Sequence, residues 1–93
     1  METGGEPDNG PSVAHLRAAI LRLVSQRGPG GSICPSEAAR TVGGEGWREL
    51  MGPIRAAARG LAREGLVEVT QRGAALDPAG DWRGPIRIRV KRR

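Results

Sequence analysis

The lack of large aromatic side chains is the tightest constraint on how this chain can fold. Its 93 residues include no Phe, no Tyr and two Trp, so Ala, Val, Ile and Leu must supply most of the core. A chain of this length buries about 60–65% of its unfolded surface, which leaves a small core and a thin margin of stability. The sequence therefore predicts one domain.

Positive charge dominates the sequence after residue 12. Residues 1–12 carry three acidic groups and no cation, so the total of +5 leaves +8 on the remaining residues. We predict that residues 1–12 form a disordered acidic tail, that 13–90 form the domain and that 91–93 are a basic end. Fourteen of the fifteen cations are Arg. Such a balance favours a phosphate-rich partner.

Single copies of Cys and His exclude several kinds of site. One Cys cannot form an internal disulfide or a multi-cysteine metal centre, and one His cannot build a histidine-rich metal site. No apolar run approaches the roughly 18 residues of a membrane span, and the N-terminus lacks the apolar stretch of a signal peptide. We expect a cytoplasmic protein that is not an enzyme and uses no cofactor.

Cys34 and His15 allow a functional and a plainer interpretation. Cys34 lies at the predicted start of a helix, the setting of a one-cysteine redox switch. It is equally a small side chain that is buried beside Ile33. His15 lies off the apolar stripe of the first helix and is predicted to be a surface residue without a catalytic partner.

Three segments repeat apolar residues at helical spacing. The pattern predicts helices over 13–27 and 35–42, and a third over 53–64 after a short turn at 47–51. The third helix is placed after the turn because Pro53 lacks the N–H that a helix interior needs. The side chains predicted to face the core are Val13, Leu16, Ile20, Leu23, Val24, Ala38, Ala39, Val42, Trp47, Leu50, Met51, Ile54, Ala57, Ala58 and Leu61.

Three further segments have the character of strands. The residues 66–70 read LVEVT, 71–73 are predicted to be a hairpin tip, and 74–76 to return as a second strand. The segment 86–90 alternates apolar residues with Arg, so one face is expected to be buried and the other solvated. Helices followed by short antiparallel strands predict an α+β fold.

Two resemblances follow from these segments. The helix that ends in Leu61-Ala62-Arg63-Glu64-Gly65-Leu66-Val67 before a basic hairpin resembles a winged helix-turn-helix, with a three-helix core and a small antiparallel sheet or wing. The combination of GPGGSICPSEAAR, WRELM, VTQRG, LDP and RGPIRIR resembles a bacterial family of small domains of unknown function. That resemblance implies a winged-helix fold and a bacterial cytoplasmic setting, and it implies no catalytic residue.

A winged helix of this kind is expected to bind double-stranded DNA, in a regulatory or accessory role. The third helix carries an arginine stripe next to its apolar face, which would place Arg55 and Arg59 near base edges and Arg63 near phosphate. The third helix offers no Asn, Gln, Ser, Thr or Lys, so weak sequence discrimination is expected. The predicted nucleic-acid contacts are Arg48, Arg55, Arg59, Arg63, Arg72, Arg87, Arg89, Lys91, Arg92 and Arg93.

Two alternatives remain open at this point. The arginines are also explained as a solvated surface of an Arg-rich chain. The fold is also a scaffold for protein interaction, in which the edge strand 86–90 pairs with a partner or with a second copy of the chain. A separate interpretation of 86–90 is an edge strand whose outward cations discourage edge-to-edge pairing, instead of a basic arm laid along phosphate.

Overall fold

A computed structural model describes residues 11–91, and the secondary structure follows the predicted order. The predicted acidic tail lies outside the described residues except for its last two positions. The elements are α1 (Val13–Arg27), α2 (Pro35–Gly43), a 3-10 helix (Gly44–Leu50), α3 (Met51–Arg63), β1 (Val67–Gln71), β2 (Ala74–Ala75) and β3 (Arg87–Val90). The predicted α+β class is confirmed.

Helix α1 has the predicted bounds and nearly the predicted buried stripe. The Oγ of Ser12 accepts a hydrogen bond from the backbone N–H of His15 at 3.1 Å, which satisfies one of the free N–H groups of the first turn. The buried face begins at Leu16, because Val13 in the first turn is 65% exposed. The expectation that Val13 is a core residue is therefore wrong.

The boundary between α2 and α3 differs from the prediction. A 3-10 helix spans residues 44–50 in place of a turn at 47–51, and α3 begins at Met51. Pro53 then lies in the first turn of α3, where no N–H has an intrahelical acceptor, so its missing donor costs little. Sequence reasoning placed the helix start two residues late because it treated this proline as a boundary.

The C-terminal end of α3 closes as a Schellman motif around Gly65. The N–H of Leu66 donates to the carbonyl of Leu61 at 3.0 Å, and the N–H of Gly65 donates to that of Ala62 at 3.0 Å. Gly65 has a φ of +80°, a conformation that a side chain disfavours. This cap turns the chain directly into β1.

The sheet has three antiparallel strands in the order β2-β1-β3. A two-residue turn, Arg72-Gly73, joins β1 to β2, and both residues have positive φ (52° and 84°), as a type I′ hairpin requires. On the outer edge of β3, Ile33 exchanges two backbone hydrogen bonds of 2.8 Å with Ile88. The short extended segment between α1 and α2 therefore continues the sheet by one residue.

The core is aliphatic, as the composition predicted, with one aromatic exception. Ile20, Ile33, Ile54, Leu61 and Ile88 are among its fully buried side chains. The two Trp residues differ in burial, and Trp47, which was predicted to face the core, is the less buried of the two. Trp82 is buried at 9% exposure, whereas Trp47 lies half-buried at the margin of the core.

Trp47 packs against the margin of the core and is also shielded by two cations. The guanidinium carbons of Arg40 and Arg48 lie 4.3 Å and 4.7 Å from the centre of its ring. Stacking of this kind covers an aromatic face that a small core cannot enclose. Within residues 11–91, no helix is long and apolar enough to cross a membrane.

Candidate nucleic-acid interface

The arginine stripe of α3 contacts the protein's own backbone. Arg55 donates to the carbonyls of Trp82 (3.1 Å) and Gly84 (3.3 Å). Arg59 donates to the carbonyls of Pro78 and Gly80, the latter at 2.7 Å. The segment 77–84, which we call the strap, therefore lies across the face of α3 that was predicted to meet base edges.

The strap is ordered by its own turn and by the ring of Trp82. The carboxylate of Asp77 accepts the N–H of Ala79 at 2.9 Å, and the Asp77 carbonyl accepts the indole N–H of Trp82 at 2.8 Å. The guanidinium of Arg59 lies 4.1 Å from the centre of the Trp82 ring. Because the strap has no strand partner, these side chains satisfy backbone groups that a sheet would otherwise satisfy.

The geometry predicted for Arg55 and Arg59 is thus corrected. Both side chains are half-buried and act as clips for the strap. The exposed residues in the N-terminal half of α3 are Gly52, Pro53 and Ala56, which offer no polar side chain. Of the predicted stripe, Arg63 alone is solvent-exposed, near the C-terminal end of the helix.

Three other arginines meet around a cleft beside the hairpin. This hairpin cleft has a volume of about 520 Å³ and is lined by Gln71, Arg72, Arg83, Pro85, Ile86 and Arg87. Arg72 and Arg87 were predicted contacts, whereas Arg83 was not. The alternation of residues gave no signal for Arg83, since it precedes β3 in a stretch without regular structure.

The walls of the cleft are held by side-chain hydrogen bonds. The amide of Gln71 donates to the carbonyls of Arg83 and Pro85, the latter at 3.0 Å. Arg87 donates from Nε to the Oγ of Ser32 (2.9 Å) and from an Nη to its carbonyl (3.0 Å). The guanidinium of Arg87 is therefore held in place by neutral acceptors, and its charge also acts on the carboxylate of Glu37, whose pKa it helps to lower.

The outward side chains of β3 continue from the cleft along one face of the sheet. Arg87, Arg89 and Lys91 alternate with the buried residues, so their side chains share a face. Arg89 donates to the carboxylate of Glu68 on β1 at 2.6 Å, and Lys91 is solvent-exposed. Arg92 and Arg93 lie outside the described residues.

Carboxylates pair with four of the described arginines, and two of these, Arg83 and Arg89, belong to the region of the cleft and β3. Arg17 donates to both oxygens of Glu64 (2.7 and 2.8 Å), and these hydrogen bonds hold the pKa of Glu64 below its ordinary value. Among residues 11–91, the arginines paired with a carboxylate are Arg17, Arg27, Arg83 and Arg89. In the same range, Arg72 and Arg87 have none.

The junction before α2 is a second cluster of polar contacts. Glu37 accepts the N–H of Cys34 at 3.0 Å and is paired with Arg27. The backbone hydrogen bond from Cys34, together with Arg27, lowers the pKa of Glu37, although partial burial opposes the shift. Cys34 is partly buried, with its Sγ 3.1 Å from the Oγ of Ser36. No group of three or more metal-ligating side chains occurs in the described part of the chain.

The helices and strands described above lie within a stretch of sequence that matches a known family. The sequence pattern of the family described as "Protein of unknown function (DUF3253)" matches residues 13–91. The chain belongs to the DUF3253 family. This match covers the α1-to-β3 body and confirms the predicted membership of a family of unknown function. No curated protein matches the chain.

Proposed function

We propose that this DUF3253 protein is a small winged-helix protein that binds the phosphate backbone of double-stranded DNA, in a bacterial cytoplasm. The arrangement of elements supports the winged-helix assignment. The short segment at Ile33 pairs with β3, β3 pairs with β1, and residues 72–86 form a long excursion between these two strands. In this assignment the excursion, including the strap, is the wing.

The hairpin cleft is the observation that carries the proposal. It brings Arg72, Arg83 and Arg87 together from the hairpin turn, the wing and β3. Lys91 is a further exposed cation along β3, next to Arg89, which is paired with Glu68. Neutralising backbone phosphates releases counterions, which is the main driving force for binding without sequence preference.

Weak discrimination between sequences follows from the contacts of α3. Arg55 and Arg59 are engaged with the strap, and the exposed N-terminal half of the helix is apolar. Base readout needs donors and acceptors that reach the groove, and none is presented there. We therefore expect a dissociation constant of about 10⁻⁴ to 10⁻⁶ M on any duplex near physiological salt.

Fluorescence anisotropy on a labelled random duplex tests this proposal. With roughly four to six phosphate contacts, the slope of log K against log salt should be about −4 to −5. Arg72→Glu should weaken binding about five- to tenfold and make the slope less steep by about one or two. Arg22→Glu on α1 makes the same charge change away from the cleft and should have a smaller effect.

A flat salt response, or equal losses from Arg72→Glu and Arg22→Glu, would contradict the proposal. The protein-interaction alternative has less support in the structure. The outward backbone groups of Ile88, at the centre of the 86–90 edge, are already bonded to Ile33. A partner strand could therefore form hydrogen bonds only with the two ends of that edge.

A further inference from the structure

We propose that the hairpin cleft is a discrete site for a single phosphate group. This inference deepens the proposed function and rests on it for the source of that phosphate, the backbone of bound duplex. A phosphate-bearing small molecule has the same recognition chemistry. Unlike a surface that is merely basic, a discrete site saturates with ligand. Its affinity depends on a few side chains, here Arg72, Arg83 and Arg87.

One donor at the cleft, the guanidinium of Arg87, is held in place before any ligand arrives. Arg87 uses its Nε and one Nη on Ser32, which leaves further N–H groups of its planar fork for an anion. Arg72 is the first residue of a tight turn, and its positive φ sets the direction in which its Cα–Cβ bond leaves the backbone. Pre-organised guanidinium donors lose less conformational entropy when a phosphate binds.

The carbonyl oxygens of the wing next to the cleft are occupied. Gln71 donates to the carbonyls of Arg83 and Pro85, and Arg55 donates to those of Trp82 and Gly84. Four consecutive carbonyls that would repel an anion are thereby satisfied by donors. The guanidinium of Arg55 also adds positive charge behind the wall, next to Gly84.

Arg83 supplies a donor that can exchange its partner. Its Nε is paired with Asp81 at 2.8 Å, and the two side chains are 86% and 72% exposed. A pair this exposed contributes little to stability, so a phosphate oxygen can replace the carboxylate as the acceptor at small cost. Pro85 and Ile86 give the cleft an apolar part, which suits the sugar or ester carbon attached to a phosphate.

The test is a titration of the full chain with inorganic phosphate at constant ionic strength, followed by NMR of arginine side-chain Nε–Hε signals. We expect the signals of Arg72, Arg83 and Arg87 to move together and saturate with one dissociation constant. Arg22 and Arg40, which lie outside the cleft, serve as internal references. A uniform, non-saturating drift of all five signals would overturn the proposal.

Matched variants then connect the cleft to the duplex. Arg72→Asn/Arg83→Gln removes two charges and should weaken phosphate binding at least about tenfold, because charge-assisted hydrogen bonds are lost. Duplex affinity should fall about fivefold or more. Arg22→Gln/Arg40→Gln removes the same charge elsewhere and should leave phosphate binding unchanged. A dispersed amide spectrum verifies that each variant is folded.

The outcomes separate this inference from the proposed function. If duplex binds but Arg72→Asn/Arg83→Gln binds it as well as the control does, the cleft is not a contact site and the inference is wrong, while DNA binding stands. If inorganic phosphate saturates the cleft but duplex does not bind, DNA binding is wrong. The cleft is then a site for a free phosphate-bearing molecule.

Discussion

The strap and the hairpin cleft use the same residue type for opposite purposes. From α3, Arg55 and Arg59 direct their guanidinium groups onto backbone carbonyls of the strap, a segment without strand partners among residues 11–91. In the cleft, Arg72 and Arg87 keep their charge at an exposed surface without carboxylate partners among the described residues. The difference teaches that an arginine stripe next to an apolar helix face can be part of the fold instead of part of an interface.

Substitution of Arg59, which holds the strap against α3, is expected to have the largest effect on stability. Arg59→Ala removes charge-assisted hydrogen bonds to two carbonyls and the stacking on Trp82, which costs about 2–3 kcal/mol. For a domain of this size, that loss lowers Tm by about 10–20 °C. Thermal unfolding followed by far-ultraviolet circular dichroism measures it.

Arg59→Lys is the control for charge in that experiment. Lys keeps the positive charge but lacks the planar fork that reaches both Pro78 and Gly80, so most of the loss should remain. If Arg59→Ala were as stable as the parent, the strap would not be held by this clip. Arg59 would then be as available as Arg72 for a partner, and the comparison would fail.

The junction between α1 and α2 sharpens the comparison with an arginine that uses a carboxylate. Arg27 contacts Glu37, and the pKa of Glu37 is lowered chiefly by its hydrogen bond from the Cys34 N–H and also by Arg27. Because the pKa of Glu37 is lower in the folded state, its ionised carboxylate stabilises the fold at pH values above its ordinary pKa of 4.5. This stabilisation is lost as the pH falls through the folded pKa.

Glu37→Gln isolates that charge, because Gln can still accept the Cys34 N–H. We expect a loss of about 0.5–1 kcal/mol at pH 7, kept small by the exposure of the ion pair. Urea unfolding at pH 7 and pH 3 should show that the difference between parent and variant shrinks in acid. A difference that stays constant with pH would exclude the carboxylate charge as its cause.

The smallest expected effect on stability is at the hairpin turn. Arg72→Asn should raise the free energy of unfolding by a few tenths of a kcal/mol, about 0.3–0.5, because Asn tolerates positive φ better than Arg. Urea denaturation measures this change. A loss of more than about 1 kcal/mol would mean that Arg72 makes a contact that stabilises the fold, as Arg59 does.

Most of the fold could be predicted because its signals are local. The helical spacing of apolar residues in α1 and the alternation in 86–90 each depend on neighbours within a few residues. The start of α3 was misplaced because the meaning of Pro53 depends on the preceding 3-10 helix. Whether the missing N–H of a proline weakens a helix depends on the position of that proline within the helix.

The arrangement of the strap could not be predicted from these patterns. Arg59 and Gly80 are 21 positions apart, and the acceptor is a backbone carbonyl that every residue type carries. A sequence shows where donors are, but carbonyl acceptors leave no compositional trace. Trp47 was predicted to face the core and lies half-buried at its margin, whereas Trp82 is buried where the strap packs on α3.

The Ile33–Ile88 bridge has a consequence for the order in which the chain can acquire its structure. Residue 33 has its sheet partner 55 positions later, so the sheet is complete only after nearly the whole described chain has been synthesised. Partial unfolding that frees β3 also frees the segment between α1 and α2. The amide of Ile88, fully buried and bonded to Ile33, should therefore exchange its hydrogen with solvent only when β3 and the segment at Ile33 separate.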